Sequence, residues 1–344
     1  MSRTKLVLFL VLAMSLFSST SKATRLRIAA WNTFNRPNNA EHESLFGTIL
    51  QAVGDEVVAG IAQRVDVLAV SETDTGSAQD LVDLMNAMYG VSSYAGVTSS
   101  SVGGDSTGIV YDTSSVQLVS SKELVTGLTH PIVRAQFQPV NAHVDMDFFV
   151  YSVHLKSGRS ATTRANEAGL MRADANALGD GQNIIYMGDF NMLGSSEGAW
   201  AKMGDIGNGQ AFDVAESPGE WRDNLAFSGL HTQHPGAAMD DRFDLMFVTD
   251  EMLDGTGIHY LAGSYRVFGN NGMHTLNGRV DSGSGAATTV LAALAAASDH
   301  LPIVADYSVP EPSALFLAGL AVILVGEMRF ALRRKRVIGL AHPN

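Results

Sequence analysis

The chain has 344 residues, with 23 Lys and Arg against 35 Asp and Glu and a formal net charge of −12. It contains no cysteine, which excludes disulfides, thiol nucleophiles and zinc–thiolate sites and leaves stability to the hydrophobic core. The acidic balance excludes a grip on long polyanions by charge alone, so any contact with nucleic acid must be local or metal-assisted.

Arg3 and Lys5 precede an apolar run at 6–17, followed by Ser21-Lys22-Ala23. That order predicts a secretory signal peptide over 1–23, too short in its apolar part to span a membrane. Residues 26–31 read as a strand ending at Asn32. Apolar residues at helical spacing (Leu45, Ile49, Val53, Val57, Ile61) predict a helix over 44–65. A short buried strand at 67–70 ends in Ser71-Glu72, and a helix at 78–89 is stopped by Gly90. Strands at 107–111, 116–125, 132–139 and 146–155 follow, separated by turn residues as in an antiparallel meander.

A helix is predicted at 161–178, then a buried strand at 183–187 running into Gly188-Asp189-Phe190-Asn191. Residues 204–222 read as loop, and 243–248 and 301–307 as the last strands. Within the Gly-, Asn- and Ala-rich stretch 262–298, propensity supports only a short helix at 288–297. Mixed strands with helices outside predict two stacked sheets covered by helices on both faces. Residues 24–309 form one such α/β domain, whose 15 basic and 33 acidic residues leave a net charge of −18.

After that domain, Val309-Pro310-Glu311-Pro312-Ser313 leads into an apolar run at 314–326, then Arg329 and Arg333-Arg334-Lys335-Arg336. The tail 310–344 resembles a PEP-CTERM sorting signal. The resemblance implies export, transient membrane association, cleavage by an exosortase-like sorting peptidase and release to the cell surface or beyond. A plain transmembrane anchor is the alternative, with the basic cluster cytoplasmic in either case.

Polar residues collect at the predicted strand ends: Asn32, Glu72, His154, Asp189 with Asn191, and Asp299 with His300, joined by Asp244. Any one of them alone reads as a cap, a turn or a satisfied core residue; their coincidence at strand ends points to a site. Asp, Asn and His together suit an oxygen-ligated divalent metal beside an acid/base group, the equipment for hydrolysing a phosphate ester. Lys156 reads as a surface charge within reach of a phosphate. His231, His234 and His274 lie in loop contexts and receive no role.

The blocks Ala30-Trp31-Asn32, Val70-Ser71-Glu72, Gly108-Ile109-Val110-Tyr111, Ser152 to Ser157, Met187 to Asn191, Arg242-Phe243-Asp244 and Ser298 to Pro302 stand in family order. With them the chain resembles the endonuclease/exonuclease/phosphatase superfamily of deoxyribonuclease-I-like enzymes. The resemblance implies a four-layered α/β sandwich, two packed mixed β-sheets flanked by helices. It implies Mg²⁺ (or Mn²⁺) held by Glu72 with Asn32 and Asp299. It further implies Asp189 orienting or deprotonating the attacking water, Asn191 and His154 on phosphate oxygens, and His300 oriented by Asp244. One departure is that His130 precedes Pro131 where many relatives carry an Arg; Arg134 lies downstream.

The expected activity is therefore that of a monomeric, exported phosphodiesterase acting on extracellular DNA or RNA. A phospholipid head group or inositol phosphate is the alternative substrate, and a catalytically silent surface or matrix protein the non-enzymatic alternative.

Overall fold

The computed structural model describes residues 24–310 except 74, 75, 128, 141, 143–145 and 276. The expected signal peptide and nearly all of the expected tail lie outside these residues. Among the described residues no helix is long and apolar enough to cross a membrane.

In chain order the elements are β1 (Thr24–Asn32), α1 (Ala40–Asp55), β2 (Val57–Val58), β3 (Ile61–Ala62), β4 (Val65–Thr73) and α2 (Ser77–Tyr89). Then come β5 (Tyr94–Thr98), β6 (Ser106–Asp112), β7 (Val116–Leu124), β8 (Ile132–Pro139), β9 (Phe148–His154), α3 (Ala161–Asn176) and β10 (Asn183–Asp189). The last are α4 (Gly198–Gly204), β11 (Phe212–Asp213), β12 (Asp244–Val248), β13 (His259–Tyr260), β14 (Arg266–Val267), α5 (Thr288–Ala297) and β15 (Ile303–Val309).

One sheet runs β13-β15-β1-β4-β6-β5, with β14 also on β15; the other runs β11-β12-β10-β9-β8-β7. The sheets pack face to face through β4, β6, β9 and β10, and Ser152 Oγ donates across the gap to Val70 O at 3.0 Å. Helix α1 packs with α2 and α5 over the first sheet. Over the second, α3 turns Ala168, Met171 and Ala175 onto Tyr151, Val153, Ile184 and Tyr186. The result is the expected four-layered sandwich. Its central strands are buried on both faces, and so they read as near-continuous apolar runs rather than alternating ones.

In each sheet a parallel pair fixes the site. Strand β1 runs parallel to β4, and β9 runs parallel to β10. Parallel neighbours end at the same edge, so Asn32 meets Glu72 there, and His154 lies opposite Asp189 in register. Strand β12 runs the other way and starts at that edge, which sets Asp244 against Asp189.

The structure corrects several expected boundaries. The helix predicted at 44–65 starts earlier, at Ala40, where the Asn39 side chain accepts from His42 N at 2.9 Å, and ends at Asp55. Its remainder is the β2–β3 hairpin, turned by Ala59 and Gly60 at φ 44° and 81°. Val57 and Ile61 satisfy a four-residue helical spacing and equally well the two arms of a tight hairpin. Strand β5 escaped notice because its exposed alternation includes Gly96 and small side chains. The loop at 204–222 contains β11, and α5 coincides with the predicted 288–297 helix.

Candidate active site

Strand β4 does not stop before Glu72, as its apolar run suggested, but continues through it to Thr73 with a register shift between Val70 and Thr73. Glu72 adopts φ 49° at that irregularity, a left-handed conformation that costs free energy in a non-glycine residue. Asn191, at φ 52°, is another left-handed residue at the site. Between them the motif glycine has a steric reason: a Cβ on Gly188 would lie 2.2 Å from Val153 O, so only glycine lets β10 approach β9 there.

Asn32 Nδ2 donates to Glu72 Oε1 at 3.0 Å and to Asp189 Oδ2 at 3.1 Å, joining the two sheets across the site. His154 Nε2 stands 3.8 Å from Glu72 Oε1 and 3.7 Å from Asp189 Oδ2. His300 Nε2 lies 3.7 Å from the same Asp189 oxygen, while its Nδ1 is 2.7 Å from Asp244 Oδ2. Asn191 donates its backbone N–H to Asp189 Oδ1 at 2.8 Å and its side-chain amide to Leu155 O at 2.9 Å. Asp299 stands beside Glu72 and adds to its electrostatic field; its Oδ1 is buried without a hydrogen-bond partner. Asn32, Glu72, His154, Asp189 and His300 therefore meet, while Asp244 and Asn191 join them through their bonds to His300 and Asp189.

Burial controls the proton affinities. It raises the Glu72 carboxyl, opposed by the Asn32 hydrogen bond and helped by Asp299. It lifts Asp189 to about 7 and drives His154 well down, so that ring is neutral. For His300 burial opposes the charge, but Asp244 and Asp189 outweigh it and hold the imidazolium up at about 10. His154 also stacks flat on His130, ring centroids 4.4 Å apart and 2° from parallel. Arg134 points elsewhere: it pairs with Asp174 at 2.6 Å.

The supporting contacts were not legible in advance. Ser298 Oγ donates to Asn32 O at 2.7 Å, and Trp31 Nε1 donates to His300 O at 2.8 Å, tying the last motif to the first strand. On α3, Arg164 donates to Lys156 O and Gly158 O at 2.9 and 2.7 Å and pairs with Glu197. One turn on, buried Glu167 accepts from Lys156 N at 2.9 Å and from the Thr129 hydroxyl. These two side chains brace the loops that follow β9 and β10 and precede β8; their only sequence signal is a three-residue spacing on a helix. His231 and His274 each direct a ring nitrogen to a backbone carbonyl at 3.0 Å.

Ligand atoms of Glu72, His154 and Asp189 lie within 4.8 Å of one another. This group, with Asp299 beside it, sets acidic oxygens around one neutral imidazole in a largely buried space. Such a donor set fits a hard divalent cation.

The Endonuclease/Exonuclease/phosphatase family profile matches residues 29–300. The chain belongs to this family. A PEP-CTERM protein-sorting motif matches residues 308–336. No curated protein sequence matches the chain. Among solved structures, a family protein from Bacteroides thetaiotaomicron is similar at a TM-score of 0.56 and 15% identity, over 84% of this chain and 99% of its own. TDP2 of D. rerio, complexed with a single-strand DNA product, is similar at 0.56 and 18% identity, over 83% and 99% of the two chains. The human Nocturnin catalytic domain with bound sulfate is similar at 0.54 and 14% identity, over 83% and 94%. These likenesses establish the deoxyribonuclease-I-like sandwich fold. Family membership supports a phosphoester hydrolase of the phosphodiesterase or nuclease type, in a family that generally uses divalent metals. The sorting motif points to an exported protein processed at the cell envelope by an exosortase.

Proposed function

We propose that the chain is an exported, Mg²⁺- or Mn²⁺-dependent phosphodiesterase that hydrolyses extracellular DNA or RNA. The observation that carries this reading is the meeting of Glu72, His154, Asp189 and the His300–Asp244 pair at one buried edge of both sheets. Residues 1–23 direct export, 24–309 carry the activity as a monomer, and 310–344 anchor the chain to the membrane until the tail is cut.

Glu72, with Asn32 and Asp299, would hold the cation, which would supply charge neutralisation at the phosphate and stabilisation of the leaving oxygen. Asp189, held against Asn32 and facing His300, takes the proton of the attacking water. His154, neutral through burial, donates to a non-bridging oxygen as charge develops, and Asn191 holds a second. Asp244 fixes the His300 ring and keeps it protonated, so Nε2–H faces the phosphate.

The net charge of −18 over 24–309 favours a second reading, in which the phosphate belongs to a phospholipid head group or inositol phosphate. Relatives on one fold exchange substrates through their loops. Purified full chain with Mg²⁺ should cleave DNA or RNA, and chelation or Asp189→Asn should stop it. Hydrolysis of sphingomyelin or inositol phosphates with nucleic acid left intact moves the substrate to the second reading. No metal-dependent hydrolysis of any substrate, bis(p-nitrophenyl) phosphate included, overturns both.

A further inference from the structure

The segment directly after Asn32 has an unusual build. Phe34 and Asn35 are successive non-glycine residues in the left-handed region, at φ 53° and 54°. A bulky side chain rarely adopts that conformation, because it must be held there against a steric cost. The neighbouring contacts hold it. Thr33 N donates to Ser71 O at 2.9 Å, Phe34 N to Asn32 Oδ1 at 3.1 Å, and Asn35 Nδ2 to Asp105 Oδ1 at 2.9 Å. Asn35 N donates to Glu72 O at 2.6 Å, which pins the loop to the backbone of the central carboxylate.

What this scaffold displays is an aromatic ring in water: Phe34 is 45% exposed. The Arg36 guanidinium lies over the ring, 5.2 Å from its centroid, and is itself fixed by Ala296 O and Ala297 O at 3.0 and 2.9 Å. A single exposed apolar residue needs no explanation in general. Strain, multiple pins and a stacked cation, spent on exposing a phenyl group two residues from Asn32, do need one.

We infer that Phe34 is a stacking platform for one unpaired heteroaromatic base beside the phosphate that is cleaved. This rests on the nuclease reading above and specifies its substrate class as single-stranded nucleic acid. Every base offers a π-face, so a phenyl ring binds bases without sequence preference. A base must leave its own stack to use such a platform, which favours single strands over duplex. Stacking also answers the charge problem. A domain of net charge −18 lacks the excess of cations that tracks a duplex backbone, and a local aromatic contact needs none.

Phe34→Ala, Phe34→Leu and Phe34→Trp, made in the full chain with Mg²⁺, test the inference against two single-stranded substrates. One is a deoxythymidine hexamer; the other is the same hexamer with one abasic site. Phe34→Ala should raise KM for the intact hexamer about tenfold, with kcat within twofold. KM for abasic linkages should not move, Phe34→Trp should restore the loss, and Phe34→Leu should not. Equal shifts for both oligomers, or rescue by leucine, overturn the platform. Equilibrium binding to the Asp189→Asn variant with Mg²⁺ separates the two readings. A preference for intact over abasic hexamer that Phe34→Ala abolishes sustains the platform, even should the wild-type chain prove not to cleave nucleic acid and the nuclease reading fall. Absence of that preference overturns the platform even in an active nuclease.

Discussion

Two buried polar clusters sit toward opposite ends of β1, five residues and about 16 Å apart, and they are built on opposite rules. At Arg27 every nitrogen has an acceptor. Its Nε and Nη2 form a fork on Asp306 at 2.8 and 3.0 Å, Nη1 reaches Val53 O and Glu56 O, and its backbone N–H donates to Asp66 at 2.7 Å. At Asn32 the same kinds of residue are left short of partners. Asp299 Oδ1, Asp244 Oδ1 and His154 Nδ1 are buried and unbonded, and carboxylates crowd together. A satisfied cluster holds the fold, whereas one with unmet polar groups and an excess of one charge keeps capacity for a ligand. The type of residue does not separate the two; the completeness of its hydrogen bonding does.

The contrast can be broken by experiment. The largest effect belongs to Asp189→Asn, expected to lower kcat about 10³-fold while urea unfolding shows no loss of stability. A variant that unfolds as readily as it loses activity would make this cluster structural as well. Next, Arg27→Met should destabilise the protein by about 3–5 kcal/mol, because it leaves Asp306 buried without its partner. Its kcat, measured well below its melting temperature, should match the wild type.

A third test uses pH. Burial raises the Asp66 carboxyl to about 7 from an ordinary 3.8, so the folded chain holds that proton more tightly than the unfolded chain. Its contribution to stability is therefore complete below pH 4 and is lost as pH rises to 7. The loss amounts to as much as about 4 kcal/mol. Denaturation midpoints taken across this range should fall, and Asp66→Asn should flatten the slope; a slope unchanged in the variant assigns the effect to another group. The smallest expected effect is ligand stabilisation. Mg²⁺ at about 100 times its Kd should add about 2.7 kcal/mol in thermal melts of the wild type and almost nothing in Glu72→Gln. An equal gain in both would place the cation elsewhere.

The strand cores were legible because buried parallel and antiparallel strands need apolar-rich, near-continuous runs, and those stand out at 26–31, 67–70, 183–187 and 243–248. The short edge pieces β5, β11, β13 and β14 were not, since edge strands bury little and carry weak patterning. The helix overrun past Asp55 came from Val57 and Ile61, whose spacing two different structures satisfy.

The candidate site residues stood out as types and as positions at strand ends, and the Gly-Asp-Phe-Asn turn was recognisable before its steric reason was known. What remained hidden was everything that depends on a neighbour distant in sequence. The bulge at Glu72, the brace of Arg164 and Glu167, the His130–His154 stack and the strained display of Phe34 belong to this class.

Taken by itself, the sequence determined the layers, the family and the chemistry available, because periodicity and short motifs are properties of neighbouring residues. Only the tertiary structure decided which polar groups meet and which are left unsatisfied. Parallel pairing brings the ends of β1 with β4, and of β9 with β10, to one edge, and no local pattern encodes that convergence.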